Sequence, residues 1–138
     1  MPAATALIDA GALIALARTR DQYHERARAI VEDHLAAGGR FIGTVLVLGE
    51  FHAHMLHRVG PAAARRALTL LLADPVHAWE EVAHDLVADA TDRWLTRFAD
   101  QPFTLVDAVS FEVMRRGGVR HAFAFDRHFE IAGFELLT

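Results

Sequence analysis

The sequence predicts a doubly wound α/β domain, a mostly parallel sheet with helices on both faces. Three observations carry that prediction. Short apolar stretches alternate with helical ones along the chain. The clearest strands, at Ala4–Ile8 and Ala122–Phe125, are continuous apolar runs rather than alternating patterns, as expected of strands buried on both faces. The chain has 138 residues, the length of a single domain that buries about two-thirds of its unfolded surface.

The elements follow in order. Ala4 to Ile8 reads as the first strand, ended by Asp9, with Gly11 loosening the turn. Gln22 to Ala37 has helical length. Ala27, Ile30, Val31 and Leu35 recur at helical spacing, and Gly38-Gly39 ends the segment. Arg40 to Gly43 is a second strand. Thr44 opens a helix to about Arg58, which Gly60-Pro61 breaks, and Ala62 to Ala73 is a further helix ending at Asp74-Pro75. Val76 to Val82 is a third strand. One long helix is expected from Ala83 to Ala99, with Asp89, Arg93 and Arg97 as a solvent-facing ion-pair stripe and Asp85, Asp89 and Asp92 on a solvated face. After the Asp100-Gln101-Pro102 loop, Val106 to Arg116 is helical and Gly117-Gly118 closes it. His121–Phe125 and Phe134–Leu137 are the last two strands. No repeat, linker or low-complexity tract interrupts this plan, so residues 1–138 are expected to form one domain.

Composition excludes several chemistries. The chain is 53% hydrophobic and 23% charged, which fits a packed globular domain. It has no cysteine, hence no disulfide, thiolate nucleophile or thiolate-bound metal. All 14 basic residues are arginine, a bias that fits a GC-rich genome. Without lysine there is no Walker A phosphate loop and no Schiff-base chemistry. The apolar stretch Ala6–Ala17 lacks a preceding positive residue and contains Asp9, so it makes a poor signal peptide. No run approaches the length of a transmembrane helix. A soluble cytoplasmic protein with no membrane partner is expected.

In doubly wound sheets, ligands bind beyond the carboxyl ends of the strands. Asp9 follows the first strand and Asp126 the fourth. Glu50 lies in the helix after the second strand. Asp107 starts the helix after the Pro102 loop, where a carboxylate also serves as a cap. Two hydroxyls accompany them: Thr44 after the second strand, and Ser110 one helical turn beyond Asp107. Carboxylates gathered at one spot raise each other's pKa and stay ionised together only around a cation. Hard oxygen donors select Mg²⁺ or Mn²⁺ over zinc. Such an ion activates water and steadies a phosphoryl transition state. The reaction class implied is metal-assisted phosphodiester hydrolysis.

The motifs carrying these acids resemble those of the PIN-domain ribonucleases, in particular the VapC-like toxins of bacterial toxin–antitoxin pairs. ALIDAGALIALA resembles the family's first motif, an apolar strand ending in Asp9 before a small residue and a helix. TVLVLGEFHAHML is similar to the second, with Thr44 and Glu50. FTLVDAVSFEVMRRGGVRHAFAFDRHFEIAGFELL resembles the family's C-terminal third, with Asp107, Ser110 and Asp126 in their expected places ahead of His128-Phe129. Thr104 stands where many relatives have Ser, and Ala124 where many have Thr.

The resemblance implies a three-layer α/β/α sandwich around a parallel sheet of four or five strands. It implies a catalytic Mg²⁺ or Mn²⁺ pocket of Asp9, Glu50, Asp107 and Asp126. Water would attack an RNA phosphodiester there, leaving a 5′-phosphate and a 3′-hydroxyl. A homodimer and a small cognate antitoxin are implied as well. A PIN nuclease of RNA maturation that is not a toxin is the alternative.

Other residues have competing readings. Arg115, Arg116 and Arg127, and also Arg18, Arg20 and Arg120, are candidates to line an RNA path; ordinary surface charge is the simpler account. His128 can reach a metal or phosphate, or cap its turn with Phe129 packed beneath. Glu50, His54 and His57 share a helix face, yet the His-Glu-x-x-His zinc pattern is absent. Two other families place an Asp after the first strand of such a sheet. A haloacid-dehalogenase-like phosphatase needs a second Asp where this chain has Gly11, and it uses a Lys. A phosphoacceptor receiver domain also needs a Lys.

Overall fold

The computed structural model describes residues 4–138. Five strands form one all-parallel sheet: β1 (Thr5–Ile8), β2 (Arg40–Thr44), β3 (His77–Glu80), β4 (His121–Phe123) and β5 (Glu135–Leu136), in the order β3-β2-β1-β4-β5. β1 lies at the centre. Leu7 pairs with Ile42 on one side and Ala122 on the other, and Ile8 pairs with Phe123. The two strands that lead to Asp9 and Asp126 are therefore neighbours running the same way.

Side chains alternate across a strand, and that alternation builds two cores. Ala6, Ile8, Phe41 and Phe123 face one layer. It contains α1 (Ala10–Ala17), α2 (His24–Ala36), α3 (Val45–Val59) and α4 (Pro61–Ala73). Leu7, Ala122 and Ala124 face the other. That layer contains α5 (His84–Ala90), a π-helical turn (Thr91–Thr96), α6 (Leu105–Gly117) and α7 (His128–Ile131). The expected α/β/α sandwich with a parallel sheet is thus present, with five strands.

Several elements differ from the sequence expectation. The segment after Asp9 is an eight-residue helix, as the motif resemblance implied, and Gly11 does not loosen a turn there. Gly11 sits in its first turn facing open space, while Ala10, Ala12, Leu13 and Ala15 are buried. The strands are shorter than the apolar runs. β4 stops at Phe123, so Ala124 and Phe125 pack as apolar residues without extending the ladder. The four-residue α7 was not foreseen.

The segment from Ala83 to Ala99 departs furthest. The α-helix gives way at Thr91 to a π-helical turn, and the expected stripe does not form. Instead Arg93 turns inward and Asp89 pairs with Arg116, at 2.6 Å. The cause is Glu112, fully buried on α6. Trp94 Nε1 donates to Glu112 Oε1 at 3.1 Å. Arg115 donates through Nε and a terminal nitrogen at 3.1 and 2.8 Å, and Arg116 Nε donates to Oε2 at 3.1 Å. Arg93 Nε also lies 3.1 Å from Oε1, an ion pair too poorly angled for a hydrogen bond. The wider turn brings consecutive residues Arg93 and Trp94 to the same carboxylate, consistent with an inserted-residue distortion of a helix.

Hydrogen bonding from Arg115 leads the effects that lower the Glu112 pKa to about 2, against the opposing cost of burial. A lowered carboxylate pKa stabilises the fold above the unfolded-state value near 4.5, and that stability is lost as pH falls toward 2. Glu112→Ala is expected to cost about 3 kcal/mol. That is the low end for a broken buried pair, because the arginines left behind reach solvent. Urea unfolding at pH 7 and at pH 3 checks both points: the variant's deficit should be smaller at pH 3.

Candidate active site

Asp107 and Asp126 meet at the carboxyl edge of the sheet, and Asp9 and Glu50 are near enough to be repelled by both; each acid is delivered by a different element. Asp9 ends β1 and precedes α1. Its backbone N–H donates to the Phe123 carbonyl at 3.0 Å, continuing the β1–β4 ladder one step. Its side chain is only 6% exposed. Asp126 lies three residues beyond the end of β4 and is exposed. Glu50 projects from α3 and is open to solvent. Asp107 sits in the first turn of α6, buried.

Asp107 performs the capping role that its position suggested, and more. Thr104 Oγ1 accepts from Asp107 N at 3.1 Å, and Asp107 Oδ2 accepts from Thr104 N at 3.0 Å, a reciprocal capping box. Thr serves that box as Ser does, so the departure at Thr104 costs nothing there. The same Oδ2 lies 2.9 Å from His128 Nδ1. Among the described residues, these hydrogen bonds fall on Asp107 N and Oδ2 and none on Oδ1. His128 joins two acids, because its backbone N–H also donates to Asp126 Oδ1 at 2.9 Å. Its ring stands edge-on to Phe103, with centroids 5.5 Å apart. The ligand atoms of Asp107, Asp126 and His128 lie within 4.8 Å of one another. The His128 ring thus reaches the acid cluster, while its turn, over the fully buried Phe129, is closed by the Asp126 carboxylate accepting from the His128 N–H rather than by the His128 side chain.

The electrostatics tie Asp9 and Glu50 to the same cluster. Burial, then repulsion from Asp126 and Asp107, pushes the Asp9 pKa up to about 7. Burial, then Asp107 and Asp126, raises Glu50 as well. The two hydroxyls lie fully buried nearby in sequence. Thr44 Oγ1 accepts from Val47 N at 3.3 Å and caps α3. Ser110 Oγ has no hydrogen-bond partner among the described residues.

These residues fit a divalent cation. The donors are hard carboxylate oxygens, they strain against each other without a counter-charge, and a buried hydroxyl close by in the chain is left unpartnered.

The arginines divide. Arg115 and Arg116 are at the opposite end of α6 from Asp107, roughly 12 Å along the helix axis. Their guanidinium donors are taken by Glu112 and Asp89, so the structure does not bring them to the acids. Arg127, next to Asp126, is 84% exposed and only 3.8 Å from Glu130. Arg18 turns toward α3, where it meets His54. Sequence reasoning missed Tyr23, which stacks on Phe125 beside Asp126 with centroids 4.4 Å apart and planes 5° from parallel. It also missed Arg58; its only sequence signal was its spacing of eight from Glu50 on one helix.

Comparison with known proteins agrees with this arrangement. The family model for the PIN domain matches residues 6–135. The 23S rRNA-specific endonuclease VapC20, found in two strains of Mycobacterium tuberculosis, is 41% identical over 88 residues. That stretch covers 64% of this chain and 66% of the relative's length. The crystal structure of M. tuberculosis VapC20, a sarcin–ricin loop cleaving toxin, superposes with a TM-score of 0.80 at 33% identity. It covers 93% of this chain and 95% of that one. A central parallel sheet, acids at its carboxyl edge and a family match spanning nearly every described residue lead to one conclusion: this chain belongs to the PIN-domain family.

Proposed function

We propose that this protein is a divalent-metal-dependent endoribonuclease acting as the toxin of a VapBC-like toxin–antitoxin pair. The observation that carries the reading is the convergence of Asp9, Glu50, Asp107 and Asp126, with Asp9 held near pKa 7 by burial and its acidic neighbours. Likeness to VapC20 supports RNA as the substrate, and ribosomal RNA as the first to test.

In this reading Asp9, Asp107 and Asp126, with Glu50, would hold Mg²⁺ or Mn²⁺. Such an ion would supply charge neutralisation at the scissile phosphate and lower the pKa of an attacking water. The chain does the rest. Phe123 and the capping box fix Asp9 and Asp107 on rigid elements. Glu50, open to solvent and with a raised pKa, is suited to take a proton from water. Thr44 and Ser110 support the site: the first fixes the start of α3, and the second offers a free hydroxyl. Arg127 is the candidate RNA contact beside Asp126; Arg115 and Arg116, already paired with Glu112, are the weaker candidates. The acidic pocket also suits a basic side chain of a small antitoxin, and a homodimer is part of the proposal. No helix among the described residues is long and apolar enough to cross a membrane, in keeping with the cytoplasmic placement such a toxin requires.

Asp9→Asn is expected to cut Mg²⁺-dependent cleavage of 23S rRNA at least ~100-fold while leaving the fold intact. Equal cleavage by both proteins sinks the proposal.

A second expectation concerns pH. A raised Asp pKa stabilises the metal-free protein below the unfolded value near 3.8, and that stability is lost as pH rises through about 7. In EDTA, the wild-type melting temperature should fall from pH 6 to pH 8 more than that of Asp9→Asn. Added Mg²⁺ should raise the wild-type value more at pH 8 than at pH 6, since the metal competes with the Asp9 proton.

The toxin role has its own test. Expression in the native host should arrest growth, and co-expression of a small adjacent open reading frame should relieve the arrest. Active enzyme without arrest would favour a role in RNA maturation.

A further inference from the structure

The turn between α1 and α2 carries Arg18, Thr19, Arg20, Asp21, Gln22 and Tyr23. It is held in place at both ends beside the acid cluster. At one end an Arg18 terminal nitrogen donates to His54 Nε2 at 3.4 Å. His54 is one helical turn beyond Glu50 on α3, hence on the same face. At the other end Tyr23 stacks on Phe125, the residue before Asp126. The turn is ordered between these anchors. Asp21 N donates to the Arg18 carbonyl, His24 N to the Asp21 carbonyl, and Tyr23 N to Asp21 Oδ1, at 2.8–3.0 Å. His24 Nδ1 closes the turn on the Ala15 carbonyl at 2.7 Å.

Between this turn and α3 lies an open groove of about 230 Å³, lined by Arg18, Arg20 and Arg58 with Thr19, Met55 and Val59. The arginines here differ from those around Glu112. Arg93, Arg115 and Arg116 are all ion-paired, whereas no described carboxylate lies within 4.0 Å of the Arg18, Arg20 or Arg58 guanidinium. The cationic character is felt locally. After burial, Arg18 and Arg58 are the main causes that lower the His54 pKa, and the nearby Asp21 only partly opposes them. A lowered pKa keeps His54 neutral, able to accept from Arg18 and hold that guanidinium at the groove wall. Along α3, Glu50, His54 and Arg58 step away from the acids in rises of about 6 Å, comparable to the spacing of successive phosphates on an RNA strand.

We propose that this groove binds the phosphate backbone of the RNA substrate, one or two nucleotides from the scissile bond, with Arg18, Arg20 and Arg58 as the contacts. Charge selects the occupant. Three guanidiniums without a described carboxylate partner suit bidentate phosphate contact, and Arg18 at the groove wall meets His54, one helical turn beyond Glu50. The proposal rests on the ribonuclease reading, and the test separates the two.

The probe is a fluorescein-labelled RNA hairpin of sarcin–ricin loop sequence. Binding is followed against salt in the Asp9→Asn background, and cleavage kinetics are measured in the active protein. Arg18→Gln/Arg58→Gln should weaken binding about tenfold and flatten the slope of log K against log salt by about 1.4. The cleavage loss should fall on KM rather than kcat. Arg18→Lys/Arg58→Lys should recover most of the affinity, because the charge returns. Arg65→Gln/Arg66→Gln on α4 is the control and should match wild type. If the Gln variant binds and cleaves RNA like wild type, the groove assignment is overturned while the nuclease reading stands. If it retains RNA binding but escapes inhibition by the antitoxin, the groove is a protein-docking site and the assignment is again overturned. Metal-dependent cleavage absent from the wild type removes the nuclease reading, and the groove then stands or falls on the binding data alone.

Discussion

Repulsion among carboxylates crowded at one edge of a parallel sheet is the constraint on which the rest of this structure depends. Parallel strands end together. Because β1 and β4 are neighbours in register, Ile8 beside Phe123, the residues after them emerge side by side. Helices on opposite faces then contribute Glu50 and Asp107 from their early turns. The fold thus concentrates negative charge where backbone geometry leaves a crevice, and Asp9 carries most of the cost, at a pKa of about 7. A cation removes that cost. The overall charge agrees: setting the four acids aside, the formal −4 of the chain becomes neutral.

Glu112 shows the same side-chain chemistry put to the opposite use. It too is buried, but Trp94 and three arginines surround it and its pKa falls to about 2. The two carboxylates mark the two ends of the chain's electrostatics. One is satisfied by the protein and locks α6 against the π-helical turn. The acids at the sheet edge have no cationic arginine among them and are only partly satisfied by hydrogen bonds, and α6 carries both kinds, with Asp107 at its start and Glu112 near its end. The lock fixes the helix that presents Asp107, so rigidity far from the site serves the geometry within it.

Much of this was legible in the sequence, and the gaps have physical causes. The strands were visible because two-sided burial writes them as apolar runs. Asp9, Asp126 and Asp107 were visible because each follows a strand or opens a helix, while Glu50, in the second turn of α3, was picked out by its motif. Periodicity alone obscured α1, because Gly11 and six alanines or leucines give little contrast when nearly every side of a short helix is covered. The 83–99 segment was misread because charges at four-residue spacing look like local ion pairs. The partner that captures Arg93 lies on another helix, a tertiary contact that local spacing does not encode. Arg115 and Arg116 differ: their pairs with Glu112 are local, three and four residues apart on α6, and only the Arg116–Asp89 pair joins two helices. Tyr23 on Phe125 and His128 on Asp107 join distant parts of the chain, so neither pairing could be read from spacing.

The most direct measurement is a crystal structure of the protein grown with Mn²⁺, recorded for the manganese anomalous signal. The account expects a peak bounded by the carboxylates of Asp9, Asp107 and Asp126, with Asp107 coordinating through Oδ1, the oxygen left free by Thr104 and His128. A peak elsewhere, or none at that edge with manganese present at millimolar concentration, would contradict it.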